Sequence, residues 1–245
     1  MSNSSFRFQR FTVRQDRCAM KVGTDGVLLG AWVDVAACRR ALDAGAGTGL
    51  IALMMAQRNG ALQVDGVEID PEACRQAAAN ASASPFAARI RLYGDSFSRF
   101  SRAASPCYDL IVSNPPYFVR SLRCPDEKRR LARHDDLLSL AGLLSDSLPL
   151  LTPGGRMALI LPFRQEEELR VRAEACGLHC IRRTEVCFVE GAAPKRLLVE
   201  LARRARTSVE TGRLTLMDLR RQRTAAYREL TRDFYLETVK DSSQA

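Results

Sequence analysis

The stretch Arg40-Ala-Leu-Asp-Ala-Gly-Ala-Gly-Thr-Gly49 decides the fold, because it joins a short apolar strand, Arg40–Ala44, to a glycine turn. A helical pattern, Leu50–Arg58, begins where the turn ends. A second apolar strand follows at 64–68, and the next helical pattern, Pro71–Ser82, starts with a proline, which suits the first turn of a helix. This succession of strand, helix and strand is typical of a βαβ unit in a parallel sheet.

The same alternation continues to about residue 200. Further strands are predicted at 89–93, Tyr108–Ser113, 156–161, 180–188 and 196–201, with helices at 137–151 and 165–176. The last two strands are close enough in sequence to pair antiparallel. We therefore predict an α/β, Rossmann-like fold with a seven-stranded, mostly parallel sheet, an antiparallel final strand and helices on both faces.

The length of 245 residues suits one large α/β domain with a full core. We expect a single domain over 1–245, made of an N-terminal segment (1–39), a core (40–202) and a C-terminal basic stretch with a helix (203–245). A hydrophobic fraction of 46% with 27% charged residues excludes a disordered chain. The net charge of +9 favours a polyanionic partner, although such charge can also serve solubility alone.

The eight cysteines are scattered through apolar segments and indicate free thiols in a reducing compartment. Cys176-Gly-Leu-His-Cys180 is the one local cluster, but no second ligand pair follows it, so we expect no metal. The N-terminus lacks the apolar core of a signal peptide, and no apolar run is long enough to span a membrane. We expect a cytoplasmic protein with no membrane partner.

Residues at the predicted strand ends indicate a nucleoside cofactor, because ligands of parallel sheets bind beyond the carboxyl ends of the strands. Gly45 and Gly47 allow close approach of the backbone, and Asp43 can pair with an α-amino group. Glu68, at the end of the second strand, is placed to bind both ribose hydroxyls. Asp95, after the third strand, can accept a hydrogen bond from an adenine amine.

The glycine pattern argues against a dinucleotide. Its spacing is Gly-x-Gly-x-Gly with Leu50 next, so the third glycine does not match the dinucleotide fingerprint. Asp43 would also repel a pyrophosphate. The set favours S-adenosylmethionine, while for each carboxylate singly a helix cap or a surface salt bridge stays an alternative.

Asn114-Pro-Pro-Tyr117 follows the strand Tyr108–Ser113 and suits methylation of a planar amine. The Asn114 side-chain carbonyl and the Pro115 carbonyl can accept the two N–H groups, since Pro115 and Pro116 stiffen the backbone and carry no competing N–H. Tyr117 or Phe118 can stack on the base. The alternative is a tight turn at a strand exit.

A basic segment follows this loop and is predicted to bind substrate through phosphate contacts. Its candidate residues are Arg120, Arg123, Lys128, Arg129 and Arg130. The alternative is a solvated loop with no partner.

Nearly the whole chain resembles class I S-adenosylmethionine-dependent methyltransferases that act on amines. The stretch from Phe8-Gln-Arg-Phe11 to Lys21-Val-Gly-Thr-Asp25 and Trp32 resembles the bacterial tRNA(Val) adenine-37 N6-methyltransferases. The resemblance implies one Rossmann-like domain whose N-terminal segment closes over the cofactor. It also implies methylation of the adenine next to the anticodon, with tRNA as partner.

By that resemblance, Lys21, Gly23, Thr24 and Asp25 belong near the methionine end of S-adenosylmethionine, and Asn114 belongs to both the catalytic loop and the cofactor site. Thr24-Asp25 could equally cap a helix predicted at 26–33. The C-terminal stretch from Tyr227 to Leu236 is predicted to be a closing helix that packs on the core. We expect a monomer, with a dimer left open.

Several alternatives share the loop chemistry. They are methylation of a release-factor glutamine, of a guanine or adenine in ribosomal RNA, or of a DNA adenine. Release-factor enzymes carry an extra N-terminal helical domain, whereas about forty residues precede the first strand here. A non-catalytic RNA-binding protein is the alternative from another class, and the intact Asp43, Glu68 and Asn114 argue against it.

Overall fold

A central sheet of eight strands organises the part of the chain that the structure describes. The computed structural model describes residues 4–18, 20–105, 107–116 and 138–236. Several predicted site residues lie outside these ranges, and their roles stay predictions. They are Tyr117, Phe118, Arg120, Arg123, Lys128, Arg129 and Arg130.

A two-stranded hairpin precedes the sheet, and the sheet itself is nearly all parallel. The hairpin consists of β1 (Ser5–Arg7) and β2 (Thr12–Arg14). The sheet strands are β3 (Arg40–Ala44), β4 (Gln63–Val67), β5 (Ile90–Tyr93), β6 (Tyr108–Ser113), β7 (Leu151–Pro162), β8 (His179–Val189), β9 (Arg196–Ala202) and β10 (Glu210–Met217). Their spatial order is β10-β8-β9-β7-β6-β3-β4-β5. Among these described strands, β9 alone runs antiparallel to its neighbours.

Helices cover both faces of the sheet, as the sequence predicts. The α-helices of the described ranges are α1 (Thr24–Trp32), α2 (Leu50–Arg58), α3 (Pro71–Ser82), α4 (Phe97–Ala103), α5 (Leu140–Ser147), α6 (Glu166–Ala175) and α7 (Ala225–Thr231). One apolar core contains Leu29 of α1 and Leu53 of α2, and a separate core contains Leu144 of α5 and Leu169 of α6. The two cores lie on opposite faces and confirm the predicted α/β architecture.

The sequence analysis predicts seven strands, and that number is wrong by one. β10 pairs parallel with β8 from Glu210↔Arg182 to Met217↔Val189 and forms an edge of the sheet. Only Leu214 and Leu216 of this strand are buried, so its alternating apolar pattern is short and is obscured by polar residues on the exposed face.

The fifth predicted strand, 156–161, is longer than expected. β7 already begins at Leu151, because Pro153-Gly-Gly155 forms a bulge within the strand and not a break before it. The register against β6 shifts between Tyr108↔Leu151 and Leu110↔Arg156. A Cβ on Gly155 would lie 2.7 Å from the Tyr108 carbonyl oxygen, so the bulge requires glycine there.

The chain's N-terminal and C-terminal segments pack against each other beside α2. The Gln9 backbone N–H donates to the Phe234 carbonyl at 2.9 Å, and the Gln9 side chain donates to the Arg232 and Tyr235 carbonyls at 2.6 Å each. Phe234 is buried. The predicted packing role of the closing segment is therefore confirmed, although the helix α7 itself covers only Ala225–Thr231.

Asn80 of α3 fastens the N-terminal hairpin to the glycine turn. Its Oδ1 accepts from the Arg14 N–H, and its Nδ2 donates to the Arg14 and Thr48 carbonyls, all at 2.9 Å. The side chain is buried, so these bonds form away from water.

Asn80→Ala should destabilise the fold by about 1–3 kcal/mol, because it leaves the buried Thr48 carbonyl and the part-buried N–H and carbonyl of Arg14 without their partner. Urea unfolding measures the change, and Ser82→Ala, on the exposed face of the same helix, is the control that should stay within about 0.5 kcal/mol of the parent. Equal stabilities for the two variants would contradict this role of Asn80.

Candidate functional site

The carboxyl ends of three adjacent strands meet at one edge of the sheet. Asp43 of β3 stands in register with Gly66 of β4 and Val112 of β6. Ser113, at the end of β6, donates its hydroxyl to the Ala44 carbonyl at 2.6 Å and is fully buried. This bond fixes the point at which Asn114 leaves the sheet, next to the start of the glycine turn.

The glycine turn after β3 requires a left-handed backbone. Gly45, Gly47 and Gly49 have φ values of 78°, 55° and 80°, which residues with a Cβ rarely adopt. Glu68 holds this turn from the neighbouring strand end, since its Oε2 accepts the Gly47 N–H at 2.8 Å and its Oε1 accepts the Asp70 N–H at 2.9 Å. The predicted strand-end carboxylate thus lies against the glycine turn.

Two cavities flank the glycine turn. The first, the Glu68 cavity, has a volume of about 340 Å³ and brings together Glu68, Asp95 and the apolar side chains of Phe97 and Leu143. Leu138 also lines it, and a Cβ on Gly45 would lie 3.4 Å from this leucine. The cavity therefore combines acceptor oxygens with a flat apolar wall, which suits a nucleoside.

The second, the Lys21 cavity, has a volume of about 350 Å³ and contains the predicted Lys21, Gly23 and Thr24. Asn114, Pro116, Gly45 and Gly47 line both cavities, so the two spaces adjoin at these residues, while Pro115 faces the Lys21 cavity. The structure thus brings together all the described members of the predicted site except Asp43.

Asp43 lies beneath the glycine turn and lines neither cavity. It is fully buried, and its Oδ2 accepts the Ala52 N–H at 3.1 Å, while Oδ1 has no hydrogen-bond partner among the described residues. Burial raises the pKa of Asp43 to about 7, the Ala52 N–H opposes this shift, and the Glu68 charge adds to it. Asp43 therefore supports the start of α2, and its pairing with an α-amino group stays a prediction.

The alternative role of Thr24-Asp25, as the cap of a helix, is wrong. α1 begins at Thr24 with Gly23 as its N-cap residue, and no side chain caps it. Asp25 instead accepts a hydrogen bond from Arg196 Nε at 2.8 Å. Because Arg196 lies at the start of β9, this ion pair ties α1 to the far side of the Lys21 cavity.

The sequence analysis missed Phe188 and Arg196, which both line the Lys21 cavity. Phe188 is 37% exposed, and the Arg196 guanidinium lies 5.7 Å from its ring centroid. Their position in the sequence could have identified them as site residues, because Phe188 is near the carboxyl end of a predicted parallel strand. The antiparallel β9 then returns Arg196 to the same edge.

Neither a metal site nor a membrane span is found in the described ranges. No three histidine, cysteine, aspartate or glutamate side chains there are grouped closely enough to bind a metal ion. No helix in those ranges has the length and apolar character needed to cross a bilayer. Seven of the cysteines lie in the described part, and these are free thiols.

Comparisons with known proteins find relatives that match nearly the whole chain. The family model of the methyltransferase small domain matches residues 19–165. A protein of Parabacteroides distasonis and one of Trichodesmium erythraeum, both named tRNA1(Val) (adenine(37)-N6)-methyltransferase, are 50% and 42% identical to this chain. Each alignment covers 97% of this chain and 100% of the relative.

The fold has solved counterparts as well. A predicted O-methyltransferase from Agrobacterium tumefaciens superimposes with a TM-score of 0.67 at 20% sequence identity, covering 86% of this chain and 96% of the other. At that identity the likeness establishes the fold alone.

Asp43→Asn should remove a pH-dependent loss of stability. Because the folded-state pKa is about 7 and the ordinary value is 3.8, the folded state binds more protons in this interval, and the parent loses stability as pH rises from about 4 to 7. The stability difference in favour of the variant should grow over this window to about 4 kcal/mol and stay constant above it.

Urea unfolding at several pH values measures this difference, with the exposed Asp233→Asn as the control variant. Parallel pH profiles for the parent and Asp43→Asn would contradict the assignment.

Proposed function

This chain belongs to the methyltransferase small domain family, and from that premise we propose that it transfers a methyl group from S-adenosylmethionine to N6 of an adenine in tRNA. The position of Asn114 carries the proposal, since this residue lines both cavities at their junction. The names of the full-length relatives support adenine 37 of a valine tRNA as the target.

The residues of the two cavities fit S-adenosylmethionine. Glu68 would bind the ribose hydroxyls, and Asp95, with the apolar wall beside Phe97, would hold the adenine of the cofactor. In the other cavity, Lys21 supplies a cation for the carboxylate of the methionine part, next to Gly23 and Thr24. The cofactor, when bound, supplies an electrophilic methyl group on a sulfonium.

Asn114 and Pro115 would hold the target amine. The lone pair of an exocyclic adenine amine is delocalised into the ring, so the amine is a weak nucleophile until its two N–H groups are fixed. The Asn114 Oδ1 accepts one N–H and the Pro115 carbonyl the other, which directs the lone pair at the methyl carbon. Bound in the adjoining cavities, the cofactor would supply the methyl group and would leave as the thioether, while Asn114 and Pro115 hold the amine until its extra proton is lost to water.

Phe188 would stack on the target base. It is partly exposed at the Lys21 cavity, the side of Asn114 away from the Glu68 cavity. Arg196 lies near the Phe188 ring and is anchored by Asp25, which fixes one side of this surface. A flipped base would thus meet an aromatic face beside the two acceptors. Stacking of Tyr117 or Phe118 on the base stays a prediction.

When this protein is incubated with labelled S-adenosylmethionine and total tRNA from cells that lack the protein, labelled methyl groups should be transferred to the tRNA. Nucleoside analysis should recover the label as N6-methyladenosine in a valine tRNA, because that base is the substrate proposed here. Label in ribosomal RNA or in a release factor, with none in tRNA, would retain amine methylation and refute the tRNA substrate.

Asn114→Ala in the same assay should lower turnover at least a hundredfold, about the loss that follows removal of one positioned polar group at a reacting centre. Binding of S-adenosylhomocysteine, measured by calorimetry, should change little, because Asn114 acts mainly on the target amine. Retained turnover would contradict the role of Asn114.

Phe188→Ala should lower kcat/KM for tRNA by between about fivefold and a hundredfold, since stacking of one base on an aromatic ring is worth about 1–3 kcal/mol. Phe188→Leu keeps an apolar side chain without the aromatic face and should lie between Phe188→Ala and the parent. An unchanged KM for S-adenosylmethionine separates this effect from damage to the fold. Parent-like kinetics of Phe188→Ala would exclude stacking.

A further inference from the structure

Charge is unevenly distributed along the edge of the sheet that carries the site, which is the row of carboxyl-terminal ends of its parallel strands. Beyond β3, β4 and β5, the Glu68 cavity collects four carboxylates, on Glu68, Asp70, Asp95 and Asp146. On the other side of β6, exposed cations follow the strand ends. They are Arg164 after β7, Lys195 before β9, and Arg220 and Arg221 after β10.

Hydrogen bonds join the segments that carry these cations. The Phe163 N–H donates to the Lys195 carbonyl at 3.1 Å, and the Lys195 N–H donates to the Val186 carbonyl at 2.8 Å. The Glu190 N–H donates to the Met217 carbonyl at 2.9 Å. The connections after β7, β8 and β10 are therefore neighbours along one edge, and together we call their exposed cations the basic edge.

Several hydrogen bonds hold the turn that carries Arg220 and Arg221. Asp218 Oδ1 accepts the N–H groups of Arg220 and Gln222 at 2.9 and 2.8 Å, and the Arg221 N–H donates to the Asp218 carbonyl at 3.0 Å. Arg221 has a positive φ of 61°, which these bonds hold in place. Both side chains therefore project from a fixed backbone.

The cations of the basic edge are not neutralised within the described part of the chain. None of Arg164, Lys195, Arg220 and Arg221 forms a salt bridge to a described acidic residue. Arg170 of α6, by contrast, pairs with both Glu167 and Glu174. Glu190 and Asp218 are the acids of the neighbouring turns, and Asp218 is occupied by backbone N–H groups.

A second arginine group lies at the opposite end of the strands, where β8 and β10 begin. Arg204 and Arg206 follow β9, which runs antiparallel, so its last residue Ala202 stands beside His179 at the start of β8. The eight residues of β10 separate this group from the Asp218 turn, a distance of about 23 Å at the usual rise per residue. The arginines of the C-terminal region thus lie in two groups, one at each end of β10.

We propose that the basic edge, and the Asp218 turn in particular, binds the phosphate backbone of the RNA substrate, whereas Arg204 and Arg206 do not. This proposal rests on the proposed function, because it concerns the RNA whose base is methylated beside Asn114. Four strand spacings separate β6 from β10, which is about 19 Å. An RNA stem that lies across this edge meets phosphate-binding cations along that span.

The acidic half of the same edge supports this direction of binding. A phosphate backbone over the Glu68 cavity would face four carboxylates, whereas over the basic edge it faces four cations. The RNA therefore extends from Asn114 toward β10, away from β5.

The test compares Arg220→Gln/Arg221→Gln with the matched control Arg204→Gln/Arg206→Gln. Glutamine preserves the backbone bonds of the turn and much of the length of the side chain. Binding of a valine tRNA transcript is measured by filter binding across a salt series, together with kcat and KM for methyl transfer and thermal unfolding of each protein.

The turn variant should bind tRNA about five- to eightfold more weakly at 0.1 M salt for each phosphate that it no longer neutralises. The slope of log K against log salt concentration should also become less steep, by about 0.7–0.9 for each such phosphate. KM for tRNA should rise while kcat at saturating tRNA stays unchanged. The control pair should match the parent.

Equal weakening in both pairs, or parent-like salt dependence in the turn variant, would overturn the proposal while leaving tRNA methylation intact. A parent protein that methylates no tRNA would instead overturn the proposed function and this inference together, so the two failures are distinguishable.

Discussion

The hydrogen bond from the Gly47 N–H to the Glu68 carboxylate joins the ends of β3 and β4, and both cavities are built around it. The Gly45 and Ala46 N–H groups donate across the same gap to the Val67 carbonyl, at 2.9 and 3.0 Å. These bonds fix a left-handed turn that would otherwise be free to move. The positions of the proposed cofactor-binding and amine-binding groups relative to one another follow from this turn, and such preorganisation is what the proposed transfer between two bound molecules requires.

Asp43 shows that this arrangement carries a stability cost. A fully buried carboxylate with one hydrogen bond and one unpartnered oxygen among the described residues opposes folding once it ionises. Its single bond, to the Ala52 N–H, lies in the first turn of α2, directly after the glycines. The carboxylate thus stabilises the start of α2 but lowers the free energy of unfolding of the whole protein, as is typical of residues in functional sites.

The sequence predicted the βαβ order, the glycine turn and Asn114 because each depends on local chemistry: apolar periodicity, positive φ and a proline-stiffened strand exit. β10 was missed because only Leu214 and Leu216 report its burial. Phe188 and Arg196 were missed because they lie more than seventy residues beyond Asn114 in sequence and reach the Lys21 cavity only through the order of the strands in the sheet. Asp43 was identified correctly as a strand-end residue, but sequence could not show that it is fully buried and lines neither cavity.

The position of β6 in the sheet links the chemistry to the distribution of charge. In the proposed reaction, direct displacement at a methyl carbon requires the amine to approach from the side opposite the departing sulfur, so the amine and the sulfur would lie on different sides of the methyl group. β3, β4 and β5 lie on one side of β6 and carry the carboxylates suited to a nucleoside; β7, β9, β8 and β10 lie on the other and carry the cations suited to phosphates. Under the proposed function, this strand order keeps the nucleoside part of the cofactor on the side of the carboxylates and the RNA backbone on the side of the cations, with Asn114 between them.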